Sequence, residues 1–196
     1  MAPSRTIDRL LPKQEDEVSI CVGCGLCCNG TYLAKGNIES AGEAKPLTWY
    51  KAEFFTENER TYFRIPCPHF SGQCCSIYED RFAVCRSYRC GVLTKLDDGE
   101  IRRDEDEHVL AEARRLIAKV AEGDPGATKF AGRRLTRRKL ARALKKAEGA
   151  ERTNIARRLL NIITLDSHIE RWFLLPKKKK KAKKKGRAAR GAQEPS

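Results

Sequence analysis

The sequence predicts an α+β fold: a small, irregular, cysteine-rich metal-binding module, then a helical extension and a disordered Lys-rich tail. Three observations predict it. All nine cysteines of the 196-residue chain lie between Cys21 and Cys90. From Asp104 onward, apolar residues recur at helical spacing. Eight lysines and two arginines crowd the stretch Lys177–Arg190, which carries most of the formal net charge of +14. The chain is therefore divided into a flexible N-terminus (1–17), a cysteine-cluster module (18–103), a helical extension (104–175) and a basic tail (176–196).

The opening residues are polar and contain no apolar stretch of the roughly 7–15 residues that a secretion signal uses. No apolar run is long enough to span a membrane. The expected location is the cytoplasm. Thiols in that reducing compartment mark metal or redox chemistry more often than a disulfide framework. An odd number of cysteines also fits full pairing poorly.

Within the module, Val18–Cys21 reads as a short extended entry to the first cysteines. Asn29 to Arg60 is irregular, with Leu47, Trp49, Phe54 and Phe55 as its main apolar payload. A β-prone run from Thr61 stops at Pro66 and Pro68. The stretch Ser76–Cys85 reads as a strand end turning into a short helix. Val92–Leu96, an Asp98-Gly99 turn and Ile101 resemble a hairpin.

Beyond it, Val109, Ala113, Leu116, Ile117 and Val120 predict a helix over 104–121, with Asp104 to Glu107 favouring its positive N-terminal end. The run Gly123–Gly126 ends it. A second helix is predicted over 131–147, with Leu140 and Leu144 one turn apart. Gly149 interrupts the pattern. A third helix spans 153–174, with Ile155, Leu159, Ile162, Ile163, Ile169, Trp172 and Phe173 buried and Pro176 closing it.

The chemistry lies in two cysteine clusters. Cys21, Cys24, Cys27 and Cys28 form the first; Cys67, Cys74, Cys75, Cys85 and Cys90 form the second. C-x-x-C spacing lets two thiolates grip one metal from a tight turn, and Gly23 and Gly25 allow that turn. Thiolates suit zinc, copper(I) and iron–sulfur clusters. The run C-x-x-C-x-x-C matches the first three ligands of a ferredoxin-type cluster, but Cys28 then follows immediately where a ferredoxin has three spacers. Adjacent side chains diverge, so Cys27 and Cys28 can serve different centres. The count fits two four-thiolate sites, one multinuclear site, or one site with spare thiols. Energetics agree. Residues 18–103 hold few large aliphatics, and a core this poor leaves about 5 kcal/mol or less. A structural zinc contributes roughly 10–16 kcal/mol in small peptides.

The motifs "CVGCGLCC", "CPHF" and "CSIYEDR", with Cys85 and Cys90 after them, resemble the CxxCxxCC cysteine-cluster family, the zinc- or iron-chelating domain of YkgJ-like proteins. The resemblance covers roughly residues 18–91. It implies metal chelation, with Cys21, Cys24, Cys27, Cys28, Cys67, Cys75, Cys85 and Cys90 at the family's cysteine positions and Tyr78 and Arg81 also matching. Phe82 stands where the family usually has proline. Cys74 is an extra thiol, and the register of Ser76-Ile77-Tyr78 favours Cys75 as the ligand. The implied cofactor is an iron–sulfur cluster or zinc.

Three functional classes follow. The first is a metal-binding protein in a structural, electron-transfer or metal-handling role. The second is a redox or modification enzyme acting on a macromolecule, although no Rossmann fingerprint, P-loop or nucleophile elbow is present and no catalytic residue can be named. The third is a zinc-stabilised module that binds nucleic acid or another polyanion through 129–146 and 177–190. Lys129–Lys146 holds nine basic residues and no acidic one. His69 reads as a surface or supporting histidine; His108 and His168 fall on helices far from the cysteines. Arg81 and Arg86 either offset thiolate charge or pair with Glu79 or Asp80, and Tyr78 reads as core.

Overall fold

The computed structural model describes residues 20–38, 43, 45–72 and 74–175. The expectations for the N-terminal 17 residues, for Pro176 and for the basic tail lie outside the described residues.

The chain starts with a single helical turn, α1 (Cys21–Cys24). The described part of the entry segment is thus helical at Cys21, not extended: α1 stops at Gly25, whose left-handed φ of 64° turns the backbone at once. Strands β1 (Lys35–Ile38), β2 (Phe54–Glu57) and β3 (Arg60–Arg64) then form an antiparallel sheet in the order β1–β3–β2. β1 and β2 fall in the stretch expected to be irregular. Each has four residues and lacks a clean alternation, so the pattern was too short to read. β2 and β3 make a hairpin that pairs Glu57 with Arg60 and turns through Asn58 and Glu59, both at positive φ.

After the sheet come α2 (Ala83–Ser87) and α3 (Gly91–Asp97). α3 corrects the expected hairpin at 91–103. Val92, Leu93 and Leu96 lie on one helical face, the first two buried and Leu96 packed against the same core. The Asp98-Gly99 turn is real, but it ends a helix: Asp98 N–H donates to the Thr94 carbonyl (2.9 Å) and Glu100 N–H to Lys95 (2.8 Å).

Three long helices follow. In α4 (Arg103–Gly123), Val109, Ala113, Leu116 and Val120 form a buried stripe, and the Glu105 carboxylate caps the start by accepting the Arg102 N–H at 2.8 Å. A short 3₁₀ turn at Pro125–Thr128 leads to α5 (Phe130–Leu144). Gly149 opens α6 (Gly149–Trp172), which therefore begins one turn earlier than its sequence pattern indicates. Ile155, Ile162, Ile169 and Phe173 are buried as expected, but Ile163 is 44 % exposed because it falls opposite that stripe.

Two cores result. The larger joins Leu26, Tyr32 and Cys90 to the inner faces of α3, α4 and α6. The smaller holds Ile38, Tyr50, Phe63 and Phe82 against the sheet. Arg133 occupies a core position of α5 at 2 % exposure. It is tolerated because each of its three guanidinium nitrogens donates a hydrogen bond: Nε to Asp166 (2.6 Å), Nη1 to the Thr128 carbonyl (3.0 Å) and Nη2 to the Thr31 carbonyl (2.8 Å). No helix among the described residues is long and apolar enough to cross a membrane.

Candidate metal centre

The first cluster is built on α1 and the loop that follows. Cys21 and Cys24 sit three residues apart, on one face of the turn. At Gly25 a Cβ would lie 2.1 Å from Cζ of Phe70. The missing side chain therefore lets the second cluster close over the first. The loop folds back through Asn29 N–H to the Gly25 carbonyl (2.8 Å) and Thr31 N–H to Leu26 (3.1 Å). Cys27 and Cys28 are left with their sulfurs 3.6 Å apart.

The second cluster is tied to the first by backbone. Cys67 N–H donates to the Cys28 carbonyl (2.8 Å), and Phe70 N–H donates to Cys67 (3.1 Å). Phe70 then bridges to Cys75. Cys85 lies on α2, and Cys90 directly precedes α3. Gly91 fixes Cys90 against the end of α6: its N–H donates to the Phe173 carbonyl (2.9 Å), and a Cβ would meet the Trp172 carbonyl oxygen at 2.5 Å.

Cys21, Cys24, Cys27, Cys28, Cys67, Cys75, Cys85 and Cys90 all line one cavity of about 270 Å³. Cys74 is exposed and does not line it. The thiols are spread around the wall. Among the described residues, no three Cys, His, Asp or Glu side chains stand in an arrangement that would by itself hold a metal ion. The donor set is nevertheless all sulfur, the ligand type that zinc and iron–sulfur clusters take. Lys35, Arg81, Arg86 and Arg89 share the lining and supply positive charge. Arg81 lies over the Tyr78 ring at 3.7 Å and donates to the Tyr78 carbonyl (2.8 Å), while Asp80 pairs with Lys45 (3.8 Å).

Burial dominates the protonation of these thiols. It pushes Cys24 and Cys85 up to about 12 and raises Cys67 and Cys90, with smaller upward pushes from neighbouring cysteines. Cys27 moves the other way, to about 7, chiefly because Cys28 hydrogen-bonds to it. Cys28 is raised by the same bond, so of the two, Cys27 takes the negative charge first. The buried Tyr32 hydroxyl also supports the Cys27 thiolate, and burial raises its own pKa.

This geometry can be set beside known proteins. Residues 20–109 match the family model CxxCxxCC, described as "Putative zinc- or iron-chelating domain". Residues 20–109 are a CxxCxxCC domain. It carries a metal-binding cysteine cluster of the zinc or iron type. Comparison with curated proteins and comparison with solved structures each gave no significant match.

The CxxCxxCC domain receives support that no motif announces. Arg114 of α4 donates to the Gly23 carbonyl (2.8 Å), Phe130 N–H of α5 to Gly30 (2.8 Å), and Arg133 to Thr31. Three residues of the helical extension thus hold the first cysteine loop through its carbonyls. Carbonyl acceptors belong to every residue, so the sequence carries no signal for them. The histidines take structural positions around the CxxCxxCC domain. The His69 ring bonds the Tyr50 carbonyl, His168 bonds the Val109 carbonyl at 3.0 Å, and His108 is exposed on α4.

Proposed function

We propose that this chain is a metal-binding protein that holds zinc or an iron–sulfur cluster through Cys21, Cys24, Cys27, Cys28, Cys67, Cys75, Cys85 and Cys90. One observation carries the reading: these eight thiols line one cavity and the ninth, Cys74, does not. Soft thiolates exclude the hard cations and suit these two alternatives. Bound metal would supply cross-links between α1, the loop at Cys67–Cys75, α2 and Cys90 and, if it is iron–sulfur, an electron-transfer centre. The arginines in the lining offset the charge of deprotonated sulfur, Arg81 favouring the thiolate of Cys85.

The test is anaerobic purification with a visible spectrum and a count of iron, sulfide and zinc per chain. Broad brown absorption with iron and sulfide in near-equal amounts identifies an iron–sulfur protein. A colourless protein with stoichiometric zinc identifies a structural or metal-handling one. A metal-free chain refutes the reading.

A second reading concerns α5. Arg134, Arg138, Lys139 and Arg142 are exposed on it, and Lys145 and Lys146 extend the same positive surface. Such a surface fits a polyanion such as nucleic acid, held by charge with no sequence preference. Binding of RNA or DNA that falls steeply with salt supports this reading; binding indifferent to salt counts against it.

A further inference from the structure

α5 buries only Arg133 and Leu140, and it packs against α6 and the 3₁₀ turn at Pro125–Thr128. Its remaining surface is cationic and carries no acidic residue. Arg134, Arg138 and Arg142 stand exposed at four-residue intervals, so they share one face, and Lys145 continues the row. Lys139 and Lys146 flank it. The carboxylates bonded to α5 are engaged elsewhere: Asp166 accepts from Arg133 (2.6 Å) and Arg137 (3.0 Å), and Asp124 accepts from the Thr136 hydroxyl (2.6 Å). None of the six cations has an ion pair among the described residues. Other surface cations do have an acid beside them: Lys95 meets Glu100 (2.7 Å), Arg102 meets Asp104 (3.1 Å) and Arg115 meets Glu112 (2.5 Å). Between the cations, α5 exposes Leu135 and alanines. Its aromatic residue, Phe130, is half-buried with the Arg134 guanidinium 5.8 Å from its ring.

We propose that this face of α5 holds the phosphate backbone of a nucleic-acid duplex. The assignment rests on the polyanion reading above and adds which polyanion is held and by which residues. The row from Arg134 to Lys145 spans about 17 Å of helix. Over that length a duplex presents about ten phosphates on its two strands, so a straight row of cations meets several at once. Release of the duplex's condensed counterions drives the association. Single-strand binders add aromatic side chains on which bases stack, and the exposed positions of α5 have none. A helix that lies on an anionic membrane sets a broad apolar face against its cations; on α5, Leu135 is the one large apolar side chain that is exposed.

The full-length protein tests this by binding to a short labelled duplex of mixed sequence, in DNA and RNA versions, and to one strand of each, from about 50 to about 200 mM salt. The duplex is expected to bind more tightly than the strand, with an affinity that falls linearly on logarithmic axes as salt rises. Arg134→Gln/Arg138→Gln/Arg142→Gln should make that slope shallower by about 2.7, at about 0.9 per lost phosphate contact. Lys95→Gln/Arg102→Gln/Arg115→Gln removes the same charge from ion-paired positions and should keep the wild-type slope. Equal flattening by the two variants would mean that net charge alone acts, and overturns the assignment. An α5 variant that binds duplex and polyphosphate as the wild type does overturns the assignment and the polyanion reading together, as does wild-type protein that binds neither. If the α5 variant loses polyphosphate but the wild type holds the single strand as tightly as the duplex, the polyanion reading stands and the duplex assignment falls. Binding to vesicles of anionic lipid with none to duplex also overturns it. Wild-type protein gives a readout independent of variant folding: bound duplex should protect Lys139, Lys145 and Lys146 from a lysine-modifying reagent, and unchanged reactivity at all three overturns the assignment.

Discussion

At the scale of single residues, two backbone conformations make opposite predictions. Gly25 has a left-handed φ and no room for a side chain beside Phe70. Gly25→Ala should destabilise the domain by about 1–3 kcal/mol, the range for forced overpacking, seen as a lower midpoint in denaturant unfolding. Glu59 occupies the second position of the β2–β3 turn at a φ of 62°, where an L side chain is strained. Glu59→Gly should stabilise by about 1 kcal/mol, since glycine is the residue such turns prefer; an unchanged or lower midpoint would contradict the turn assignment.

At the scale of elements, Asp124 joins α4 to α5. It accepts from the Gly126 N–H (2.9 Å) and the Thr136 hydroxyl (2.6 Å). The Thr136 bond, with help from backbone amides, holds its carboxyl below the usual aspartate range. Its contribution to stability is therefore fully present above the ordinary aspartate pKa and is lost as pH falls through the lowered folded value. Asp124→Ala should cost about 1 kcal/mol at neutral pH, as for other lost caps. The difference from wild type should shrink in strong acid; a pH-independent difference would mean that the charge plays no part. Elements also mark where sequence reading succeeds. α4 and α6 were legible because their buried stripes repeat over about three and about five turns. Spacing and resemblance single out the eight cysteines that line the cavity, and their part as ligands is the proposal made above. Of the three short strands only β3 was legible, as the β-prone run from Thr61; β1 and β2 were not, because four residues give too few periods to separate from loop. The Val92–Leu96 segment misled for a related reason: an Asp-Gly pair signals a hairpin turn and a helix end equally well, and only packing against α4 and α6 decides between them.

At the scale of the whole molecule, the two cores are unequal. The helical core contains the inner faces of α4 and α6, whereas the sheet core has four fully buried residues. If metal cross-links both, removing it should affect them differently. Treatment with a strong chelator under reducing conditions should abolish the near-ultraviolet signal of Trp49, Tyr50 and the sheet aromatics while leaving most far-ultraviolet helicity. Simultaneous loss of both signals would show that the cores unfold as one unit. The end of α6 gives the molecule an order in time. Phe173 forms part of the cavity wall and packs on Tyr32 with ring centres 5.6 Å apart. During translation every cysteine emerges before the first residue of α4, and Phe173 emerges after almost all of the described chain. The thiol-lined chamber is therefore a room whose last wall arrives late. Domains fold as units during synthesis, so the part of the wall that Phe173 supplies is added only when α6 docks.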